Sequence, residues 1–210
     1  MSIYETIEQL KILPVIKLDS AANSAPLAEA LIAGGLPAAE VTFRTDAAEE
    51  SIQIMSKKYP DMLVGAGTIT SVEQAKRALS AGASFLVSAG FNRKVVEYAV
   101  DQKVPVFPGV CTPTELMLIL EYQLPVAKFF PAEQFGGLKT IKALAAPFPQ
   151  IKFMPTGGIN AQNICDYLAF EKIIACGGSW MVKDAFINNH EFEKITALTR
   201  EAVTLVRGEA

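Results

Sequence analysis

The stretch Leu63–Gly90, LVGAGTITSVEQAKRALSAGASFLVSAG, contains two short apolar runs on either side of a longer amphipathic one. The runs LVGAG and FLVSAG have the composition of buried strands, whereas SVEQAKRALSAGA spaces its apolar residues as one face of a helix does. Ser71 stands three residues before Gln74, which is the arrangement of a helix capping box. The stretch therefore predicts a strand, a helix and a second strand parallel to the first.

Similar units recur along the chain. Eight apolar runs begin at Pro14, Ala38, Leu63, Phe85, Val104, Val126, Lys152 and Ile173. Amphipathic stretches separate them, and two further capping pairs, Asp46 with Glu49 and Thr112 with Glu115, mark predicted helix starts. Eight βα units predict an α/β fold, a (β/α)8 TIM barrel formed by one domain over residues 1–210. The segment Ile3–Leu13 is predicted to be an extra N-terminal helix that closes the barrel bottom. An open, doubly wound sheet is the alternative, but no GxGxxG pattern follows the first strand.

The composition favours a small-molecule partner. The chain has 19 Lys and Arg against 22 Asp and Glu, a net charge of -3, and no basic run that would indicate nucleic acid or a membrane surface. No apolar segment has the length of a membrane span. Three widely spaced cysteines without a CxxC pattern favour reduced thiols in the cytoplasm. The single histidine, His190, argues against a histidine-based metal site. We therefore expect a cytoplasmic protein that uses no metal or other cofactor.

Lys128 lies in the run VAKFFPAE, which otherwise has the composition of a buried strand. A buried lysine either pairs with a carboxylate or has a lowered pKa that leaves a nucleophilic amine. Such an amine forms an imine with a ketone. The run by itself leaves both interpretations open, an imine-forming lysine or a lysine held in an ion pair with Glu40. Lys17, in PVIKLD, is a competing amine, but the nearby Asp19 favours a charge at the barrel rim.

Polar and apolar residues alternate with period two in the run AAEVTFRT. Glu40, Thr42 and Arg44 therefore share one face of the predicted strand, whereas Val41 and Phe43 share the other. Helices cover the outside of a barrel, so the polar face is predicted to point into its mouth. Glu40 and Arg44 either serve there as acid–base and anion-binding groups or simply pair with each other.

Two glycine-rich turns follow the last two strands. PTGGI contains Gly157 and Gly158, and CGGSW contains Gly178 and Ser179. Backbone N–H groups in such turns, with helix starts beyond them, form anion sites, and the loops after barrel strands seven and eight often hold phosphate. Glycine is also common in tight turns for steric reasons, but two such turns at these strand ends favour phosphate. Cys111, at another strand end, has no neighbouring base and is interpreted as a packing residue.

Five motifs together resemble a known family. EVTFRT, GAGT, KFFPAE, PTGGI and GGSWMV occur in the order and approximate spacing found in 2-keto-3-deoxy-6-phosphogluconate (KDPG) aldolases, also called 4-hydroxy-2-oxoglutarate (KHG) aldolases. The resemblance covers essentially the whole chain. It implies a homotrimeric, metal-independent class I aldolase with a (β/α)8 barrel. Its implied partner is a small phosphorylated keto acid: KDPG is cleaved to pyruvate and glyceraldehyde 3-phosphate in the Entner–Doudoroff pathway, and KHG to pyruvate and glyoxylate.

The resemblance also implies roles for individual residues. Lys128 would form the Schiff base and Glu40 would transfer protons. Arg44 and Thr68 would bind the substrate carboxylate, and Thr156 would contact the substrate. The phosphate would be held by Gly157, Gly158, Gly178 and Ser179.

The chain departs from the family pattern at two positions. Ala89, in FLVSAGF, stands beside the substrate where the family usually has proline, so it bears on substrate preference. Lys17 stands where an apolar residue is common. Neither departure affects the imine chemistry.

Two other functions remain open at this point. An aldolase or decarboxylase could act on a related keto acid, such as the galactonate analogue or oxaloacetate. A barrel that only binds a sugar phosphate is the second alternative, because fold does not fix function. Binding alone, however, does not require both Lys128 and Glu40.

Overall fold

Parallel strands form a closed barrel at the centre of the molecule, a computed structural model that describes residues 1–208. The strands are β1 Ile12–Ile16, β2 Ala38–Thr42, β3 Leu63–Gly67, β4 Leu86–Val87, β5 Val106–Phe107, β6 Gly109–Val110, β7 Val126–Phe129, β8 Lys152–Pro155 and β9 Cys176–Gly178. They pair in the orders β9-β1-β2-β3-β4-β5 and β6-β7-β8. Parallel bridges from Phe153 to Ile173 and from Thr156 to Gly177 join β8 to the β9 segment.

The strands β5 and β6 are two halves of one predicted strand, separated by Pro108. Proline has no N–H group to donate to a strand ladder, so the regular pairing is interrupted there. The pairing with β7 nevertheless continues at this point, because the Pro108 carbonyl accepts a hydrogen bond from the Lys128 amide at 3.0 Å. Counting this interrupted strand once gives eight strands, and the predicted α/β barrel is confirmed. Residues 209 and 210 of the predicted domain lie outside the described residues.

Helices surround the barrel and connect its strands. They are α1 Ile3–Leu10, α2 Ser24–Ala33, α3 Ala48–Lys58, α4 Val72–Ser80, α5 Arg93–Asp101, α6 Pro113–Glu121, α7 Gly137–Ala145, α8 Ile164–Leu168, α9 Asp184–Asn188 and α10 Phe192–Arg207. Short 3-10 helices occupy Ala21–Asn23 and Glu133–Phe135. Across residues 1–208, none of the helices combines the length and the apolar composition that a transmembrane span requires.

Two of the three predicted helix caps are confirmed. The hydroxyls of Ser71 and Thr112 accept hydrogen bonds from the amides of residues 74 and 115, and the Thr112 cap forms a complete capping box. The predicted cap at Asp46 is wrong, because α3 begins at Ala48 and its N-cap residue is Ala47. The Ala48 amide donates to the Thr45 carbonyl at 3.3 Å, so a turn precedes the helix and places Asp46 one residue too early.

Large apolar side chains fill the lower half of the barrel. Phe85, Phe107, Val126 and Met154 belong to one buried cluster inside it, and Ile7 of α1 packs into the same cluster. Phe107 makes aromatic contacts with Tyr4 of α1 and with Phe85, at centroid distances of 5.1 Å and 5.8 Å. The predicted extra helix therefore closes the barrel bottom, but its predicted end at Leu13 is wrong: it ends at Leu10, because Lys11 adopts a left-handed conformation and β1 begins at Ile12. Open space remains at the carboxyl ends of the strands.

Candidate active site

Lys128 and Glu40 meet inside the barrel. Lys128 lies on β7 and Glu40 on β2, and the Lys128 Nζ is 3.3 Å from the Glu40 Oε1. Their side chains are only 6% and 1% exposed. The Lys128 Nζ also lies 5.3 Å from the centroid of the Phe130 ring. The ion pair predicted as one interpretation of Lys128 is therefore present, and it lies where a small molecule can reach it through the open end of the barrel.

The carboxylate of Glu40 retains a free oxygen. Within residues 1–208, Oε2 is buried and has no hydrogen-bond partner. Buried polar atoms are nearly always hydrogen-bonded, so this one is available to a ligand. Gly67, at the end of β3, makes room for the carboxyl group: a Cβ atom there would lie 2.7 Å from the Glu40 Cγ and 2.8 Å from the Cδ.

Arg44 and Thr68 lie above this pair at the strand ends. The Arg44 Nε donates to the Thr42 Oγ1 at 3.1 Å, and that hydroxyl donates to the Ile16 carbonyl at 2.9 Å. The predicted alternative of a Glu40–Arg44 pair is wrong, because Glu40 pairs with Lys128, and Arg44 forms no ion pair within the described part of the chain.

Thr68 has a φ of 57°, a left-handed conformation that non-glycine residues rarely adopt and that is common at functional sites.

The turn at Gly157 and Gly158 presents amide groups to the barrel mouth. Both glycines have left-handed φ angles, 102° and 81°. Within residues 1–208, neither amide donates a hydrogen bond, and the Ser179 amide in the second turn does not either. Gly157 is half-buried, and Gly158 and Ser179 are exposed, so their N–H groups can be reached by water or by a ligand in the barrel mouth. These amides therefore suit an anion.

Hydrogen bonds from behind hold the first turn in place. The Glu133 amide donates to the Gly157 carbonyl at 3.1 Å, and the side-chain amides of Asn160 and Asn163 donate to the Gly158 carbonyl at 3.2 Å and 3.1 Å. In a trans peptide the C=O and the following N–H point in opposite directions, so these bonded carbonyls direct the N–H groups of Gly158 and Ile159 to the other side of the turn.

Thr156 completes this end of the site. Its Oγ1 is buried and unpaired within the described chain, and a Cβ atom on Gly177 would lie 3.0 Å from its Cγ2. The expectation that helix starts support the anion site needs correction, however. The helices that follow the turns, α8 and α9, have five residues each and begin only at Ile164 and Asp184. The turn amides themselves, rather than helix ends, are the donors available at this end of the cavity.

One cavity of about 410 Å³ gathers all of these groups. Every predicted site residue lines it: Glu40, Arg44, Thr68, Ala89, Lys128, Thr156, Gly157, Gly158, Gly178 and Ser179. The lining also includes Val15, Thr42, Phe130, Ile159, Gly177 and Asp184. Sequence reasoning did not identify Val15, Ile159 or Asp184 as site residues. A larger cleft of about 670 Å³ lies between Trp180 and α10, but no lysine lines it.

The competing residues, Lys17 and Cys111, do not line the cavity. The Lys17 Nζ pairs with Asp19 at 2.8 Å and with Asp184 at 3.3 Å, at the rim, as predicted. Cys111 is half-buried, and burial raises the pKa of its thiol, which disfavours the nucleophilic thiolate.

Comparison with known proteins connects this site to one family. The family model described as KDPG and KHG aldolase matches residues 3–198. The 2-dehydro-3-deoxy-phosphogluconate aldolase of Treponema pallidum is 43% identical over 206 residues, which cover 98% of each chain.

Two solved structures are similar in fold and sequence. The KDPG aldolase of Legionella pneumophila, whose crystal structure holds pyruvate captured at low pH as a covalent carbinolamine, is 37% identical, with a TM-score of 0.92 over 96% of this chain and 98% of its own. The 2-keto-3-deoxy-6-phosphogluconate aldolase of Zymomonas mobilis, solved with 3-phosphoglycerate, is 40% identical, with a TM-score of 0.89 over 97% and 96%.

Proposed function

The chain belongs to the KDPG and KHG aldolase family, and on this premise we propose that it cleaves KDPG to pyruvate and glyceraldehyde 3-phosphate through a Schiff base on Lys128. It is a lyase of the class I type, and KHG, cleaved to pyruvate and glyoxylate, is its second substrate. The observation that carries the assignment of residues is the buried contact of 3.3 Å between the Lys128 Nζ and the Glu40 Oε1 in a cavity lined with anion-binding groups.

Lys128 supplies the electron sink. Glu40 lies close enough to accept the proton that the ammonium must lose before the amine attacks the keto carbon. Addition gives a carbinolamine, whose hydroxyl leaves as water with the proton that Glu40 has accepted; this step forms the protonated imine and returns Glu40 to the carboxylate form. When the bond between C3 and C4 breaks, its electron pair enters the imine system, and the pyruvyl fragment becomes an enamine.

Glu40 moves the protons of the carbon–carbon cleavage. Its carboxylate removes the proton of the C4 hydroxyl, so that glyceraldehyde 3-phosphate leaves as an aldehyde, and the same group returns a proton to C3 of the enamine. Hydrolysis of the resulting imine then releases pyruvate. The free Oε2 allows Glu40 to contact the substrate while Oε1 remains near Lys128.

The two anionic ends of the substrate bind on opposite sides of this pair. Arg44, whose Nε is held by Thr42, offers its remaining N–H groups to the pyruvyl carboxylate together with Thr68. The amides of Gly157, Gly158 and Ser179, with Gly178, receive the phosphate. The buried Thr156 Oγ1, which has no partner within residues 1–208, lines the same cavity and donates to the substrate.

Reduction with borohydride in the presence of pyruvate tests this assignment. The expected product carries one reduced pyruvyl group on the peptide that contains Lys128, identified by mass spectrometry, and Lys128→Met abolishes the label. Labelling of Lys17 instead would overturn the assignment. Absence of any label on the folded wild-type protein would refute the Schiff-base mechanism and favour a barrel that only binds sugar phosphates.

A homotrimer in the cytoplasm is the proposed working form. Large apolar side chains remain exposed on two neighbouring βα units, Met117 at 64% and Phe135 at 49%, which supports a subunit interface. Light scattering at assay concentration tests the assembly, and a monomer mass would contradict it.

A further inference from the structure

Three charged side chains form a cluster at the phosphate end of the cavity. The Lys17 Nζ lies 2.8 Å from an Asp19 oxygen and 3.3 Å from an Asp184 oxygen. Asn188, one turn after Asp184 on α9, donates to the second Asp19 oxygen at 3.0 Å and anchors that carboxylate. Of the three charges, Asp184 belongs to the cavity wall, together with Ser179.

The strand register brings this cluster to the second glycine turn. Pro14 of β1 is paired with Gly178 of β9, so the chain leaving β1 at Lys17 runs beside the chain that leaves β9 at Ser179. Val15 and Lys17 share one face of the strand, and Val15 lines the cavity. Lys17 itself does not line the cavity, but its ammonium lies 3.3 Å from Asp184, which does, so its charge acts on a ligand held by the turn from just behind the wall.

The charges at this end do not by themselves favour a phosphate dianion. The cavity wall contains two cationic residues, Lys128 and Arg44, and the proposed function assigns both to the pyruvyl end. The turn amides carry only partial positive charge, whereas Asp184 places a full negative charge beside them. Lys17 is the cation that offsets Asp184 there.

We propose that Lys17 and Asp184 together set the preference between phosphorylated and unphosphorylated substrates. Lys17 attracts the phosphate dianion and offsets part of the negative charge of Asp184. The part of that charge that is not offset repels the dianion and limits how tightly it is held. This inference rests on the proposed function, because it takes the glycine turns as the phosphate site.

Substitutions of the two residues should have opposite effects. Lys17→Met keeps the aliphatic stem and removes the charge, so kcat/KM for KDPG should fall about tenfold. Asp184→Asn should raise kcat/KM for KDPG severalfold. For 2-keto-3-deoxygluconate, which lacks the phosphate, kcat/KM should change less than about twofold in either variant.

The effects on KDPG should shrink as salt rises, because exposed charges are screened over about 10 Å at 0.1 M ionic strength. A purely structural role for the pair would produce neither the opposite signs nor the salt dependence.

A remote ion pair provides the matched control. Lys58 lies 3.1 Å from Glu29 on the outside of the barrel, so Lys58→Met should leave both substrates unaffected. Equal losses on both substrates in Lys17→Met, or a selective loss on KDPG in Asp184→Asn, would overturn the inference.

Pyruvate trapping separates this inference from the proposed function. Each variant should still form the reduced pyruvyl adduct on Lys128, since pyruvate does not reach the phosphate end. Normal trapping with unchanged substrate preference would refute the role of Lys17 and Asp184 alone. Absence of trapping in the wild-type protein would refute the proposed mechanism instead.

Discussion

Replacing Gly67 with alanine should displace the proton-transferring carboxylate without changing any charged or polar side chain. The added Cβ would lie 2.7 Å from the Glu40 Cγ and 2.8 Å from the Cδ. Carbon atoms in favourable contact lie about 3.5 to 4.0 Å apart, so the carboxyl group must move by roughly 1 Å. Its Oε1 is 3.3 Å from the Lys128 Nζ, and a shift of that size alters the geometry of both proton transfers. A misplacement of about 1 Å can cost about 10²-fold in rate, which is the loss expected in kcat for KDPG cleavage.

The assay couples cleavage to pyruvate detection and is accompanied by a thermal melt. Overpacking a buried site costs about 1 to 3 kcal/mol, so Gly67→Ala should melt at a lower temperature but remain folded. Gly90→Ala is the matched control, because a Cβ atom at Gly90 would meet nothing within 4 Å. If Gly67→Ala cleaves KDPG within twofold of the wild-type rate, the position of Glu40 is not critical and the proton-transfer role assigned to it is refuted.

Three further predictions test the remaining parts of the site. Glu40→Gln should still form the trapped imine with pyruvate. It should cleave KDPG roughly 10²- to 10⁴-fold more slowly, because a general acid–base group typically contributes that much to the rate. Near-normal cleavage together with near-normal hydrogen exchange at the pyruvate methyl group would mean that Glu40 is only a structural partner. Ser179→Asp should weaken KDPG much more than KHG by placing a negative charge among the turn amides, and equal loss on both would place the phosphate elsewhere. Activity should survive exhaustive chelation because the imine serves as the electron sink; loss that zinc or magnesium restores would contradict a class I mechanism.

The strands and the reactive residues were predictable because their signals are local. A lysine in an apolar run and a period-two alternation of polar residues can both be recognised within a few residues, and they placed Lys128, Glu40 and Arg44 on inward faces. The eight strands followed from repeated apolar runs of similar length, and Pro108 divided one of them without opening the barrel.

The features that sequence reasoning missed depend on distant parts of the chain. Asp184, on α9, lines the cavity and meets Lys17, a residue 167 positions away in the sequence, so this contact depends on the completed barrel. Whether Glu40 would pair with Arg44 or with Lys128 could not be decided locally either, since Lys128 approaches from β7 across the barrel. The start of α3 was misplaced because the turn before it is fixed by a backbone bond from Ala48 to Thr45 rather than by a capping side chain.

The hydrogen bonds behind the Gly157–Gly158 turn determine how the free protein meets its ligand. Asn160, Asn163 and the Glu133 amide hold the turn in shape through bonds within the protein itself, so binding does not require the backbone to become ordered. A pre-organised site avoids the loss of conformational entropy that a loop pays when it closes around a ligand. Association with phosphorylated substrates should therefore proceed in a single fast step, and the barrel mouth should have the same backbone conformation before, during and after turnover.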